Sequence, residues 1–110
     1  MINKVILCGR TTTDIELRQS GEGNNYAYFT LAVNRYNSVT QQEETDFISC
    51  ITYGKLAENI SKYVKKGQRL LVEGSIRVSS VNRPDGTRIT TTKVEVKNAD
   101  FLEKAPNPSN

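Results

Sequence analysis

Histidine and tryptophan are absent from this 110-residue chain, and cysteine occurs only twice. Each shortage excludes a class of chemistry. Without imidazole there is no Ser–His–Asp triad, no imidazole general base and no histidine metal site. Two cysteines, Cys8 and Cys50, are too few for a structural zinc site within one chain or for a secreted disulfide scaffold. A reducing, cytoplasmic setting follows as the simplest expectation. Long apolar runs are missing too. Val5-Ile6-Leu7-Cys8, behind a single lysine, is too short for a signal-peptide core, and nothing nears the roughly 18 apolar residues of a membrane helix. Asp14, Glu16, Asp46 and Glu58 have no pairing that suggests acid–base work, and no phosphate-cradling glycine motif accompanies them. Neither an enzyme, a cofactor nor a metal is expected.

What is present fits one domain with one core. Fifteen Lys and Arg against twelve Asp and Glu give a net charge of +3 and an isoelectric point near 8.9. That mild basic bias is compatible with a polyanionic partner without demanding one.

The chain reads as strands almost throughout. Asn3 to Arg10 opens the first, with Gly9 a bulge or bend and Ile15 to Arg18 its continuation. After the turn composition of Ser20 to Asn25, Ala27, Phe29, Leu31 and Val33 alternate with Tyr28, Thr30, Ala32 and Asn34. Arg35 to Glu44 reads as a polar loop with Tyr36 at its root. The third strand, Thr45 to Tyr53, is apolar on both parities: Ile48 and Cys50 on one, Phe47, Ile51 and Tyr53 on the other. Leu56, Ala57, Ile60, Tyr63 and Val64 recur at helical spacing, with Lys65 and Lys66 in the last turn and Gly67 as the stop. Tyr63 is expected to pack against the barrel.

The fourth strand places Leu70, Val72, Ile76 and Val78 inward, and Asn82 to Gly86 is a turn. The fifth runs from about Arg88 to Phe101. Cys8 and Cys50 read as small core residues. Five strands with one helix between the third and fourth predict an all-β OB-fold, a five-stranded Greek-key barrel; a small open-sheet α+β domain is the alternative.

If one side of each strand fills the core, Phe47 and Tyr53 share the other side, because six is an even separation. Arg35, Lys55 and Arg77 put cations near loops or the sheet margin. Exposed flat rings among cations suit single-stranded nucleic acid, whose bases stack and whose phosphates need neutralising. The same two rings equally suit packing under a loop, against the helix or in a subunit interface, and patterning leaves both uses open.

The residues also carry a resemblance. Met1-Ile2-Asn3-Lys4-Val5-Ile6-Leu7 with Gly9-Arg10 resembles the opening of bacterial single-stranded DNA-binding proteins, the SSB family. So do Phe29-Thr30-Leu31-Ala32-Val33-Asn34-Arg35, Glu44-Thr45-Asp46-Phe47-Ile48, Tyr53-Gly54-Lys55-Leu56-Ala57-Glu58-Asn59, Tyr63-Val64-Lys65-Lys66-Gly67, Val72-Glu73-Gly74, Asp85-Gly86 and Phe101-Leu102-Glu103, in the family's order. The resemblance implies an OB-fold domain over residues 1–103 and a short flexible tail over 104–110. It further implies a cytoplasmic homotetramer that wraps and protects single-stranded DNA in replication, recombination and repair, with a dimer contact on the first strand. It implies stacking by Tyr36, Phe47 and Tyr53, and basic contacts from Lys4, Arg10, Arg35, Lys55 and Arg77. An OB-fold primosome-type adaptor with weak nucleic-acid binding is the alternative, and an RNA preference is a third reading.

The sequence departs from the family pattern in three places. Val78-Ser79-Ser80-Val81 stands where a basic, aromatic hairpin is usual, every stacker is Tyr or Phe rather than Trp, and no acidic tip follows to recruit partner proteins. A natural short form, phage-encoded or accessory, and a core cut from a longer protein both fit such an ending.

Overall fold

Period-two alternation dominates the chain, and strands dominate the structure. The computed structural model describes residues 1–102; Glu103 and the tail expected over 104–110 lie outside the described residues. Its elements are β1 (Val5–Thr11), β2 (Arg18–Gln19), β3 (Asn25–Asn37), β4 (Gln42–Tyr53), α1 (Gly54–Tyr63), β5 (Arg69–Asn82) and β6 (Arg88–Phe101). They form one sheet in the order β1-β5-β6-β4-β3-β2, and β1 pairs again with β3. That second pairing, Arg10 with Ala32 and Thr11 with Leu31, closes five strands into a barrel. The pairings are antiparallel except β4 with β6, which run parallel.

This is the all-β OB-type barrel expected from the element order. The two-residue β2 pairs only with β3. The helix therefore follows the third barrel strand, although it lies between β4 and β5 in chain order. Ile15 to Arg18 does not continue β1: the strand ends at Thr11, and Ile15 is buried in the core instead.

Phe29, Leu31, Cys50, Leu70, Val72, Val94 and Val96 are buried together, with Val33 and Ile48 packed against them. Helix α1 adds Ala57 and Ile60, its apolar stripe. It ends at Tyr63, one turn before the sequence suggests, so Lys65 and Lys66 lie beyond it. The chain then turns at Gly67, whose φ of 82° favours glycine, and the Gly67 N–H donates to the Thr11 carbonyl at 2.9 Å. Tyr63 is exposed rather than packed on the barrel, with the Lys62 ammonium 5.2 Å from its ring centroid.

Other expectations are corrected by strand crowding and strand length. Gly9 makes no bulge; it lies where β1 crosses β3, and a Cβ there would run into the Ala32 carbonyl. The irregularity falls at Glu73/Gly74, where a Cβ on Gly74 would meet the Glu95 carbonyl. Cys8 is exposed, because the closing strand leaves its side of β1 outward; Cys50 is buried, and burial pushes its thiol up to about 12.

Two hairpins outrun the barrel. Ile76 and Val78 keep the inward parity, but Ile76, opposite the buried Val94, sits at the rim of the barrel and Val78, opposite Thr92, lies beyond it, so both residues are exposed. The polar stretch from Arg35 to Glu44 is mostly strand, paired from Asn34↔Thr45 to Asn37↔Gln42. Polar ties replace apolar ones in this arm. Arg35 Nη2 lies 2.8 Å from Glu44 Oε2, its Nε donates to Asp46 Oδ2 at 2.9 Å, and Thr45 Oγ1 donates to Asn34 Oδ1 at 2.8 Å. At the tip, Asn37 Oδ1 accepts from the Val39 and Thr40 N–H groups, an Asx turn.

Candidate nucleic-acid interface

The β3–β4 register decides which rings share a surface. Tyr26 faces Tyr53, Tyr28 faces Ile51, Thr30 faces Ser49, Ala32 faces Phe47, Asn34 faces Thr45 and Tyr36 faces Glu43. Residues directly opposite in a sheet project to the same side. Tyr36, Phe47 and Tyr53 therefore stand on the outer face of one ribbon. They are 66%, 68% and 51% exposed, so neither loop nor helix covers them. Ile51 shares their parity yet is buried, flanked by Tyr28 on β3 and in register with Glu95 on β6.

The cations sort into two groups. Arg10 stands in register with Ala32, hence in the row of Phe47, and its Nη1 donates to the Gly67 carbonyl at 2.9 Å. Across β5 its partner is Arg69, and the two arginines, with Cys8, Gly9, Ala32 and Asn34, line an open hollow of about 290 Å³. Lys55, two residues after Tyr53, is exposed in the first turn of α1. Arg77 on β5 faces Lys93 on β6, with the outward parity of Glu95. These residues continue the aromatic face.

Arg35 and Lys4 are placed differently. Arg35 falls on the other parity, opposite Glu44, and braces the arm; its pKa is raised, first by the hydrogen bond to Asp46. Lys4 precedes β1 and pairs with Glu73 of β5 at 3.5 Å.

Glu95 sits among the cations of the outer face. It accepts from Arg77 Nε at 2.9 Å and pairs with Lys97. The hydrogen bond from Lys97, which outweighs desolvation, and after it the one from Arg77 hold its carboxyl below the usual range. Lys93 of β6 reaches across β4 to Tyr28, its ammonium 5.1 Å from that ring centroid. Tyr28, Arg69 and Lys93 were not singled out as site residues in the sequence. Alternation gave their faces, but only the cross-strand register shows what stands beside them.

Among the described residues no cluster of His, Cys, Asp and Glu is arranged to hold a metal ion, and no helix is long and apolar enough to cross a membrane. The open hydroxyl-bearing and cationic face can stack planar groups and neutralise phosphates.

Comparison with known proteins places this arrangement. Residues 2–102 match the model of the single-strand binding protein family. A single-stranded DNA-binding protein of Clostridium perfringens is 50% identical over 103 residues, covering 93% of this chain and 67% of its own. Single-stranded DNA-binding protein 1 of Streptococcus pyogenes is 41% identical over 111 residues, covering all of this chain and 85% of its own. Among solved structures, the Plasmodium falciparum SSB in complex with ssDNA superposes with a TM-score of 0.82 at 24% identity, covering 94% of this chain and 97% of that one; this likeness speaks for the fold. A family match along nearly the whole described barrel, joined by half-identical residues in a close relative, means that this chain belongs to the single-strand binding protein family.

Proposed function

We propose that this protein binds and protects single-stranded DNA without sequence preference, as a homotetramer in the bacterial cytoplasm, during replication, recombination and repair, and that it catalyses nothing. The observation that carries the reading is the row of Tyr36, Phe47 and Tyr53, exposed on one face of the β3–β4 ribbon. Stacking uses the π-face that every base offers, so it holds a strand while ignoring its sequence, at about 1–3 kcal/mol per base. Arg10, Lys55 and Arg77 supply the positive charge that phosphates need.

The test is a titration of oligo-dT, followed by tyrosine fluorescence, on protein whose assembled mass is measured by equilibrium sedimentation. Phe47→Ala and Tyr53→Ala are each expected to weaken binding about 5- to 150-fold. The log-affinity against log-salt line should fall by about 0.7 per phosphate neutralised. Unchanged affinity in both variants, or a flat salt line, refutes the reading.

A further inference from the structure

Phe47 and Tyr53 are six residues apart on β4, about 20 Å at roughly 3.3 Å per residue. One base cannot bridge that distance, so a strand that engages both rings crosses the surface between them. That surface is not bare. Its β3 side carries Tyr28, half-exposed and opposite Ile51, with Thr30 opposite Ser49. Beside Tyr28 an open hollow of about 230 Å³ is lined by Thr12, Thr13, Thr30 and Ser49 together with Phe29 and Cys50.

Tyr28 is also held in place. Tyr26 meets it edge-to-face, with ring centroids 5.6 Å apart and planes at 83°. The Lys93 ammonium stands 5.1 Å from its ring centroid. A tyrosine fixed by one aromatic and one cation costs little further ordering when a planar ligand arrives. Hydroxyls both donate and accept, so the threonine and serine side chains around the hollow offer partners to the edge of any base. A cation beside a stacking ring is the pairing that one nucleotide presents to a protein in reverse: a flat base with its phosphate alongside.

Resting on the function proposed above, we propose that Tyr28, Lys93 and the adjoining hollow form a nucleotide subsite between Phe47 and Tyr53. The base packs on the Tyr28 ring with its edge toward Thr30 and Ser49. Lys93 exchanges its ring contact for the phosphate. The subsite puts an additional aromatic on the ribbon itself, in a chain whose β5–β6 hairpin, from Ile76 around to Val94, carries Val78 and Val81 and no aromatic ring.

The 110-residue chain, its Tyr28→Ala, Tyr28→Phe and Lys93→Gln variants, and Phe47→Ala as reference are titrated with oligo-dT. Tyr28→Ala should weaken binding about 5- to 150-fold, while Tyr28→Phe, which keeps the stacking face, should stay within about twofold of the parent. Lys93→Gln should lower the salt slope by about 0.7, the share of one phosphate on a single strand. Oligonucleotides with one 5-iodouracil, irradiated and mapped by mass spectrometry, should give a cross-link to Tyr28. That readout needs no variant, so it stands even if Tyr28→Ala unfolds. Parental affinity in Tyr28→Ala beside a weakened Phe47→Ala, or cross-links to Phe47 and Tyr53 that skip Tyr28, overturns the subsite and leaves the function standing. A parent chain that fails to bind oligo-dT overturns both.

Discussion

Replacing Glu95 with glutamine should make this protein bind single-stranded DNA more tightly. The Glu95 carboxylate holds Arg77 and Lys97 on the outer face, and its own side chain is only 15% exposed while theirs are more than half exposed. Glutamine keeps the shape and removes the charge that restrains both cations. Each cation that turns to a phosphate adds about 0.7 to the salt slope. Relative to high salt, a tenfold dilution of salt therefore strengthens the variant over the parent by about fivefold for one cation and about 25-fold for two. Stability should fall by no more than about 1 kcal/mol, because the two partners are solvent-facing and screened.

The pH dependence follows from the depressed carboxyl of Glu95. A carboxyl lowered in the folded state stabilises the fold above its unfolded pKa, and that contribution disappears as pH falls through the folded value. Since an ordinary glutamate titrates near 4.3, Glu95 stays charged from pH 7 down to about pH 5, and the affinity gap should hold constant over that span. The assay is oligo-dT titration at several salt concentrations and at pH 5 and 7. Glu22→Gln in the Ser20–Asn24 turn makes the same change in net charge away from this cluster. Equal salt slopes for parent and Glu95→Gln, a gap matched by Glu22→Gln, or a gap that closes by pH 5 would refute the reasoning.

Two further outcomes concern the barrel itself. Gly74→Ala drives a Cβ into the Glu95 carbonyl at the β5–β6 irregularity and should destabilise by about 3 kcal/mol or more in urea unfolding; Gly21→Ala, with open space around it, is the control that should change little. Cys50 is buried with a thiol pushed up to about 12, while Cys8 is exposed, so a thiol reagent at pH 8 should modify one cysteine rapidly in the folded protein and the second only on unfolding. Two fast thiols would contradict the burial.

The sequence made the barrel legible because its alternation is unbroken where strands are half-buried. Phe29, Leu31, Val72 and Val94 announce their side by parity alone, whereas the strand of Cys50 is apolar on both. Parity says nothing about where a strand leaves the core, which is why Ile76 and Val78 read as inward residues and are exposed. It also cannot see strands held by polar ties. The Arg35–Asp46 bond and the Asn34–Thr45 bond keep β3 and β4 paired through a stretch whose composition is that of a loop. The rings of Tyr36, Phe47 and Tyr53 were visible as a set, through spacing and family pattern. The Tyr28–Lys93 contact was not, since it joins β3 to β6 across an intervening strand, and only the parallel β4–β6 pairing creates it.

The arm that carries Tyr36 separates two ranges of electrostatic force. Its brace consists of contacts of 2.8 and 2.9 Å between Arg35 and its two carboxylates. Those lengths are comparable with the Debye length of about 3 Å at 1 M salt, whereas attraction between surface cations and an approaching strand acts over the roughly 8 Å available at physiological ionic strength. Rising salt therefore abolishes the long-range pull well before it loosens the brace. On the function proposed above, the strand would be shed from a surface that keeps its shape, and the same surface would be ready to load again when the salt is withdrawn.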